Sequence, residues 1–138
     1  MTVPLPRFDL ARPLSVADAV AMRQACRSSR FIAGGTDLLV NMRRRIGRPE
    51  LLIDLSQIDE LDRIEVSNAG VRIGAMVTVS ALARHAAICE GYRAVCEAAE
   101  AVAGPGHRAV ATVGGNLCLD TRCIYYNQSE WWRRANNY

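Results

Sequence analysis

Two glycine pairs carry the most readable chemistry in this chain of 138 residues. Ala33-Gly34-Gly35-Thr36-Asp37-Leu38 is the first, and Thr112-Val113-Gly114-Gly115-Asn116-Leu117 follows roughly eighty positions later. Each comes after an apolar or β-branched stretch and places a polar residue just beyond its glycines. Glycine admits positive φ and lets backbone N–H groups approach a ligand with no Cβ in the way. Successive N–H groups turned into one concavity form an anion nest, and a helix beginning there adds the positive end of its dipole. Two such motifs in similar settings point to a pyrophosphate held from both sides. Asp37 complicates the first: a carboxylate suits a helix start but repels a phosphate. Its side chain is therefore expected to turn away, toward a ribose hydroxyl or into a structural hydrogen bond.

Other chemistries find less support. His85 and His107 are the two histidines, and neither has the sequence neighbours of a nucleophile's base or a zinc ligand set. His107 with Arg108 stands just ahead of the second motif, where either residue could help position it. Cys89 and Cys96 read as small core residues, because a shared helical face would need one helix to run through Gly91. Five cysteines, an odd number, argue against a disulfide scaffold and for a reducing cytoplasm. All 17 basic residues are arginine and the net charge is +3. Only Arg43-Arg44-Arg45 with Arg48 form a cluster, which reads as a solvated helix end or a contact for an acidic partner. No aromatics interleave with these arginines, so a nucleic-acid platform is not expected. No stretch approaches the ~20 apolar residues of a membrane span.

The elements that must carry these motifs follow from pattern. Pro4, Pro6 and Pro13 keep the start extended. Ser15 caps a helix reaching about Cys26, with Asp18 completing a near capping box. Residues 31–33 form a short strand, a helix runs from Thr36 until Gly47 and Pro49 break it, and residues 51–55 form another strand. The order is β–α–β–α–β. A second unit begins near Ser56 with a hairpin turning at Asn68-Ala69-Gly70. Thr78 or Ser80 caps a helix through Ala87, and a further helix spans 92–103 before Gly104-Pro105-Gly106 stops it. The end of the chain is rich in tryptophan and tyrosine and reads as one cut short of its natural terminus.

AGGTDL, RIGAMVT and ATVGGNL, in that order, resemble the FAD-binding subunits of the molybdenum hydroxylase family, and FDLARPLSVADAV is similar to that family's start. The stretch from Asn116 to Tyr138 is most similar to the β subunit of 4-hydroxybenzoyl-CoA reductase. The resemblance implies an α+β fold of the PCMH type (vanillyl-alcohol-oxidase-like), with two lobes clasping FAD and the C-terminal part missing. The lobes would be residues 1–55 and 56–138. It implies cofactor contacts from Ala33, Gly34, Gly35, Thr36, Asp37 and Leu38 in the first lobe, and from Thr112, Gly114, Gly115, Asn116 and Asp120 in the second. Ile73-Gly74-Ala75 matches a family motif without an assigned contact. Cys123 falls where the first ligand of a 4Fe-4S cluster would lie in the full-length protein. Implied partners are a molybdenum-cofactor subunit and a 2Fe-2S subunit, with which a flavin would exchange electrons. The alternatives are a docking module without activity and a free-standing oxidase with FAD attached through His107 or Cys118.

Overall fold

The computed structural model describes residues 4–119 and 130–137; Asp120, Cys123, Tyr125, Tyr126 and Tyr138 lie outside them. The chain begins with a parallel sheet. Strand β1 (Asp9–Ala11), helix α1 (Val16–Ala25), β2 (Ser29–Ile32), α2 (Leu38–Arg43) and β3 (Leu51–Asp54) follow in sequence, and the strands lie in the order β1-β3-β2. Ser15 caps α1 as its type predicts, its Oγ accepting from the Asp18 amide at 3.1 Å. Leu52 and Ile53 on the central strand are fully buried. Ile53 packs with Ala19 of α1 and with Ile58, and Met22, Leu51, Leu55 and Leu61 close around them.

A single turn of 3-10 helix (Asp59–Leu61) leads to an antiparallel hairpin of β4 (Ile64–Ser67) and β5 (Gly70–Ile73). The hairpin turns at Asn68-Ala69, and Gly70 takes φ +135, as the Asn-Ala-Gly signal foretells. Four helices come next: α3 (Val79–Ala83), α4 (Ala86–Gly91), α5 (Arg93–Ala101) and the short α6 (Pro105–Arg108). Val77, Val79, Leu82, Ile88 and Ala99 make a second buried cluster, flanked by Ile64, Val71 and Ile73 of the hairpin. Helix α7 (Val113–Leu117) and, after the undescribed residues, α8 (Glu130–Ala135) complete the order.

Three elements differ from the sequence expectation. The single helix drawn from Thr78 through Ala87 is two, because His85 takes φ −78 and ψ 115, which is extended backbone. That bend lets Leu82 and Ile88 face the same core. Gly104-Pro105-Gly106 stops a helix, as its composition predicts. It also starts one, with Pro105 at the first helical position, where a missing N–H costs nothing. The second glycine pair lies in the first turn of α7 rather than in a loop.

Candidate functional site

The first glycine motif bridges the end of β2 and the start of α2. Gly35 has φ +69, the left-handed conformation that glycine takes without a steric penalty. Leu39 N–H donates to the Gly35 carbonyl at 3.2 Å, which closes the turn into the helix. The amides of Gly34, Gly35 and Thr36 donate to no acceptor among the described residues. Three successive unspent N–H groups around one left-handed residue have the composition of an anion nest. Asp37 Oδ2 accepts from Asn41 Nδ2 at 2.7 Å, a structural hydrogen bond along α2. Asn41 is itself buried at 5% exposure, so this contact anchors α2.

The second motif is built differently. Residues 75–79 run beside residues 111–114, with an antiparallel bridge between Thr78 and Thr112. Val79 N–H donates to the Ala111 carbonyl at 2.8 Å, and Val113 N–H returns a bond to the Val77 carbonyl at 2.9 Å. Gly114 N–H donates to the Ala75 carbonyl at 2.8 Å and Asn116 N–H to the Thr112 carbonyl at 2.9 Å. Gly115 N–H donates to the buried Thr112 Oγ1 at 3.1 Å, capping α7. Every amide from Val113 to Asn116 is therefore engaged within the protein. A Cβ on Gly114 would come within 2.7 Å of the Ala75 Cβ, so this glycine lets α7 sit against residue 75.

The two motifs nevertheless meet. A Cβ on Gly34 would overlap the Val110 carbonyl and come within 3.2 Å of the Ala111 Cα. The first motif thus rests on the segment that leads into the second. Gly74 makes a similar backbone approach, to the Leu61 carbonyl, which gives Ile73-Gly74-Ala75 a packing role. Asn116 and Gly115 are exposed at the start of α7, and Thr36 is exposed on the first motif. Ala33 and Leu38, the outer members of the first motif, are half-buried.

Several residues outside the motifs set this geometry. Arg108 does not reach toward the second motif: its Nη1 donates to the Val102 carbonyl at 2.9 Å and the Ala103 carbonyl at 2.7 Å, closing the end of α5. Its neighbour His107 is exposed. Arg43 at the end of α2 and Arg44, Arg45 and Arg48 beyond it are exposed and form no salt bridge among the described residues. The reading of Cys89 and Cys96 as separate core thiols is corrected. The turn at Tyr92 folds α5 back on α4, and the two cysteines form a disulfide with Cα atoms 5.1 Å apart. No group of three or more His, Cys, Asp and Glu side chains among the described residues is arranged to hold a metal.

The family described as "FAD binding domain in molybdopterin dehydrogenase" matches residues 6–126 of this chain. The chain belongs to that family. The aldehyde oxidoreductase FAD-binding subunit of Escherichia coli (strain K12) is 40% identical over 120 residues, covering 86% of this chain and 37% of that protein. The family fold is also seen directly. Carbon monoxide dehydrogenase from Hydrogenophaga pseudoflava superposes with a TM-score of 0.80 at 36% identity, over 83% of this chain and 40% of that one. Quinoline 2-oxidoreductase from Pseudomonas putida 86 superposes with the same score at 28% identity. The chain therefore spans about two fifths of the length of its relatives. The mixed helix and strand architecture expected from sequence is the fold of this family's FAD-binding domain.

Proposed function

We propose that this chain supplies the FAD-gripping part of an electron-transfer subunit in a molybdenum hydroxylase-type complex. The observation that carries the reading is the set of unspent amides at Gly34, Gly35 and Thr36, with Gly35 in the left-handed conformation. These donors fit a pyrophosphate, whose oxygens accept charge-assisted hydrogen bonds from backbone N–H groups. Thr36 adds an exposed hydroxyl beside them. In this reading the second motif serves the cofactor through its exposed face, with the Asn116 side chain as the donor and acceptor, because the amides around it are taken. We treat residues 1–55 and 56–138 as two lobes of one clamp; the cluster around Ile53 also takes in Ile58 and Leu61 just past that division, and the cluster around Val77 lies wholly in the second lobe.

FAD, when bound, supplies the redox chemistry, and the protein supplies position and electrostatics. No residue here is assigned as a general acid or base. The partners we infer are a molybdenum-cofactor chain and a 2Fe-2S chain. The relatives named as FAD-binding subunit and as medium chain are what support this. No helix among the described residues is long and apolar enough to cross a membrane, and the cytoplasm is the compartment we propose. A finer reading, the β subunit of a 4-hydroxybenzoyl-CoA reductase with Cys123 as a 4Fe-4S ligand, rests on the sequence from Asn116 onward. Iron and sulfide analysis of the anaerobically purified full-length subunit, with and without Cys123→Ser, tests it.

The variant Gly35→Val tests the main reading. A β-branched residue at φ +69 is strained, and its Cβ would stand within 3.1 Å of Leu39 Cδ1. FAD binding is expected to be lost while circular dichroism still reports the fold. A docking module without cofactor would give no FAD binding in the parent either. A covalent flavin would stay on the denatured polypeptide.

A further inference from the structure

The disulfide between Cys89 and Cys96 lies away from both glycine motifs, in the corner where α3, α4 and α5 meet. Cys96 is 7% exposed and Cys89 is half-buried. Both sulfurs also face the same backbone group. The carbonyl of Ala83, the last residue of α3, is 3.1 Å from the Cys89 Sγ and 3.2 Å from the Cys96 Sγ. A carbonyl at a helix end has no partner within the helix. A thiol can donate to it, whereas a disulfide sulfur has no proton to give.

We propose that Cys89 and Cys96 are a reversible thiol–disulfide pair rather than a permanent staple. Each oxidation state has its own stabilising contact: the covalent bond joins α4 to α5 in one, and S–H donation caps α3 through Ala83 in the other. The oxidant class is a low-molecular-weight disulfide such as oxidised glutathione. Cys89, the more accessible sulfur, attacks as thiolate and forms a mixed disulfide, releasing one reduced glutathione. Cys96 then attacks the Cys89 sulfur, forming the internal bond and releasing the second reduced glutathione. Two protein thiols and one glutathione disulfide become one protein disulfide and two glutathione thiols, with the protons balanced. Oxidation withdraws the donors from Ala83, so the pair acts on the C-terminal end of α3. The other end of that helix begins at Thr78, which bridges to Thr112.

The test equilibrates the 138-residue chain in glutathione buffers of graded oxidised-to-reduced ratio, under native conditions. Free thiols are then alkylated, and labels are located by peptide mass spectrometry. The expected result is a sigmoidal, fully reversible loss of labelling at Cys89 and Cys96 together with no glutathione left on either, whereas the free Cys26 and Cys118 lose label only as glutathione adducts. The oxidised form should melt higher by roughly 5 °C, from closure of a short loop. Cys96→Ser should trap one glutathione on Cys89, while Cys89→Ser should leave Cys96 largely unmodified. Full labelling of both residues at the most oxidising ratio would overturn the proposal. So would a bond that persists in the folded protein at the most reducing ratio. The parent titration decides the matter even if a variant misfolds.

Discussion

Gly34 and Val110 meet backbone to backbone: a Cβ on Gly34 would overlap the Val110 carbonyl. A carbonyl in a tight connection cannot rotate aside as a flexible side chain can. This glycine is therefore required by packing between two segments distant in sequence, and its neighbour Gly35 by backbone conformation.

The first prediction separates these roles. Gly34→Ala should destabilise the fold by about 3 kcal/mol, the scale of overpacking a tight contact. Gly106, inside α6 with nothing within 4 Å of an added Cβ, is the control. Gly106→Ala should stabilise by about 0.5–1 kcal/mol through the unfolded chain. Urea denaturation of the three proteins measures both, and equal effects at the two sites would contradict the packing role of Gly34.

The cap on α7 gives a second prediction. Thr112 Oγ1 is buried and accepts from the Gly115 amide at 3.1 Å. Thr112→Ala leaves that amide without a partner and should cost about 1–2 kcal/mol. Thr112→Ser keeps the oxygen and should recover most of the loss. Equal stability of the alanine and serine variants would show that the hydroxyl does not cap the helix.

Asp54 gives a pH prediction. Burial at the end of β3 pushes its carboxyl upward, but the Ser56 amide, the Ser56 side chain and the Arg12 guanidinium together hold it below the usual aspartate value. Ser56 N–H donates to Oδ1 at 3.0 Å and Arg12 Nε to Oδ2 at 3.2 Å. A carboxyl depressed in the folded state binds fewer protons than in the unfolded state. It contributes stability above the unfolded aspartate pKa of about 3.9, and this is lost as pH falls through the lower folded value. Asp54→Asn should flatten the acid limb of a stability–pH curve while leaving its neutral slope unchanged. An unchanged acid limb would contradict the assignment.

Local signals were legible where neighbours in sequence settle the geometry. Ser15 capping α1, the turn at Asn68-Ala69 and the arginine-rich end of α2 all depend on contacts a few residues long. Of the two roles expected for Asp37, the structural hydrogen bond is local, made four residues on with Asn41. What stayed hidden depends on distant chain. The glycine pairs look alike in sequence, yet residues 75–77 accept from the amides of Val113 and Gly114 and from none in the first pair. The break between α3 and α4 falls among good helix formers, because Leu82 and Ile88 must reach one core. The Cys89–Cys96 pairing is the exception: it is local, made by the reversal at Tyr92 that Gly91 signals.

The central claim is that backbone amides of the first motif hold a pyrophosphate. Calorimetric titration of the protein with FAD, FMN and riboflavin tests it most directly. Hydrogen bonds to charged groups contribute about 1.5–3 kcal/mol each, so FAD should bind at least roughly a hundredfold more tightly than riboflavin. FMN, with one phosphate, should fall between them. Equal affinity for FAD and riboflavin would mean that the Gly34–Thr36 amides do not engage phosphate, and the account would fail.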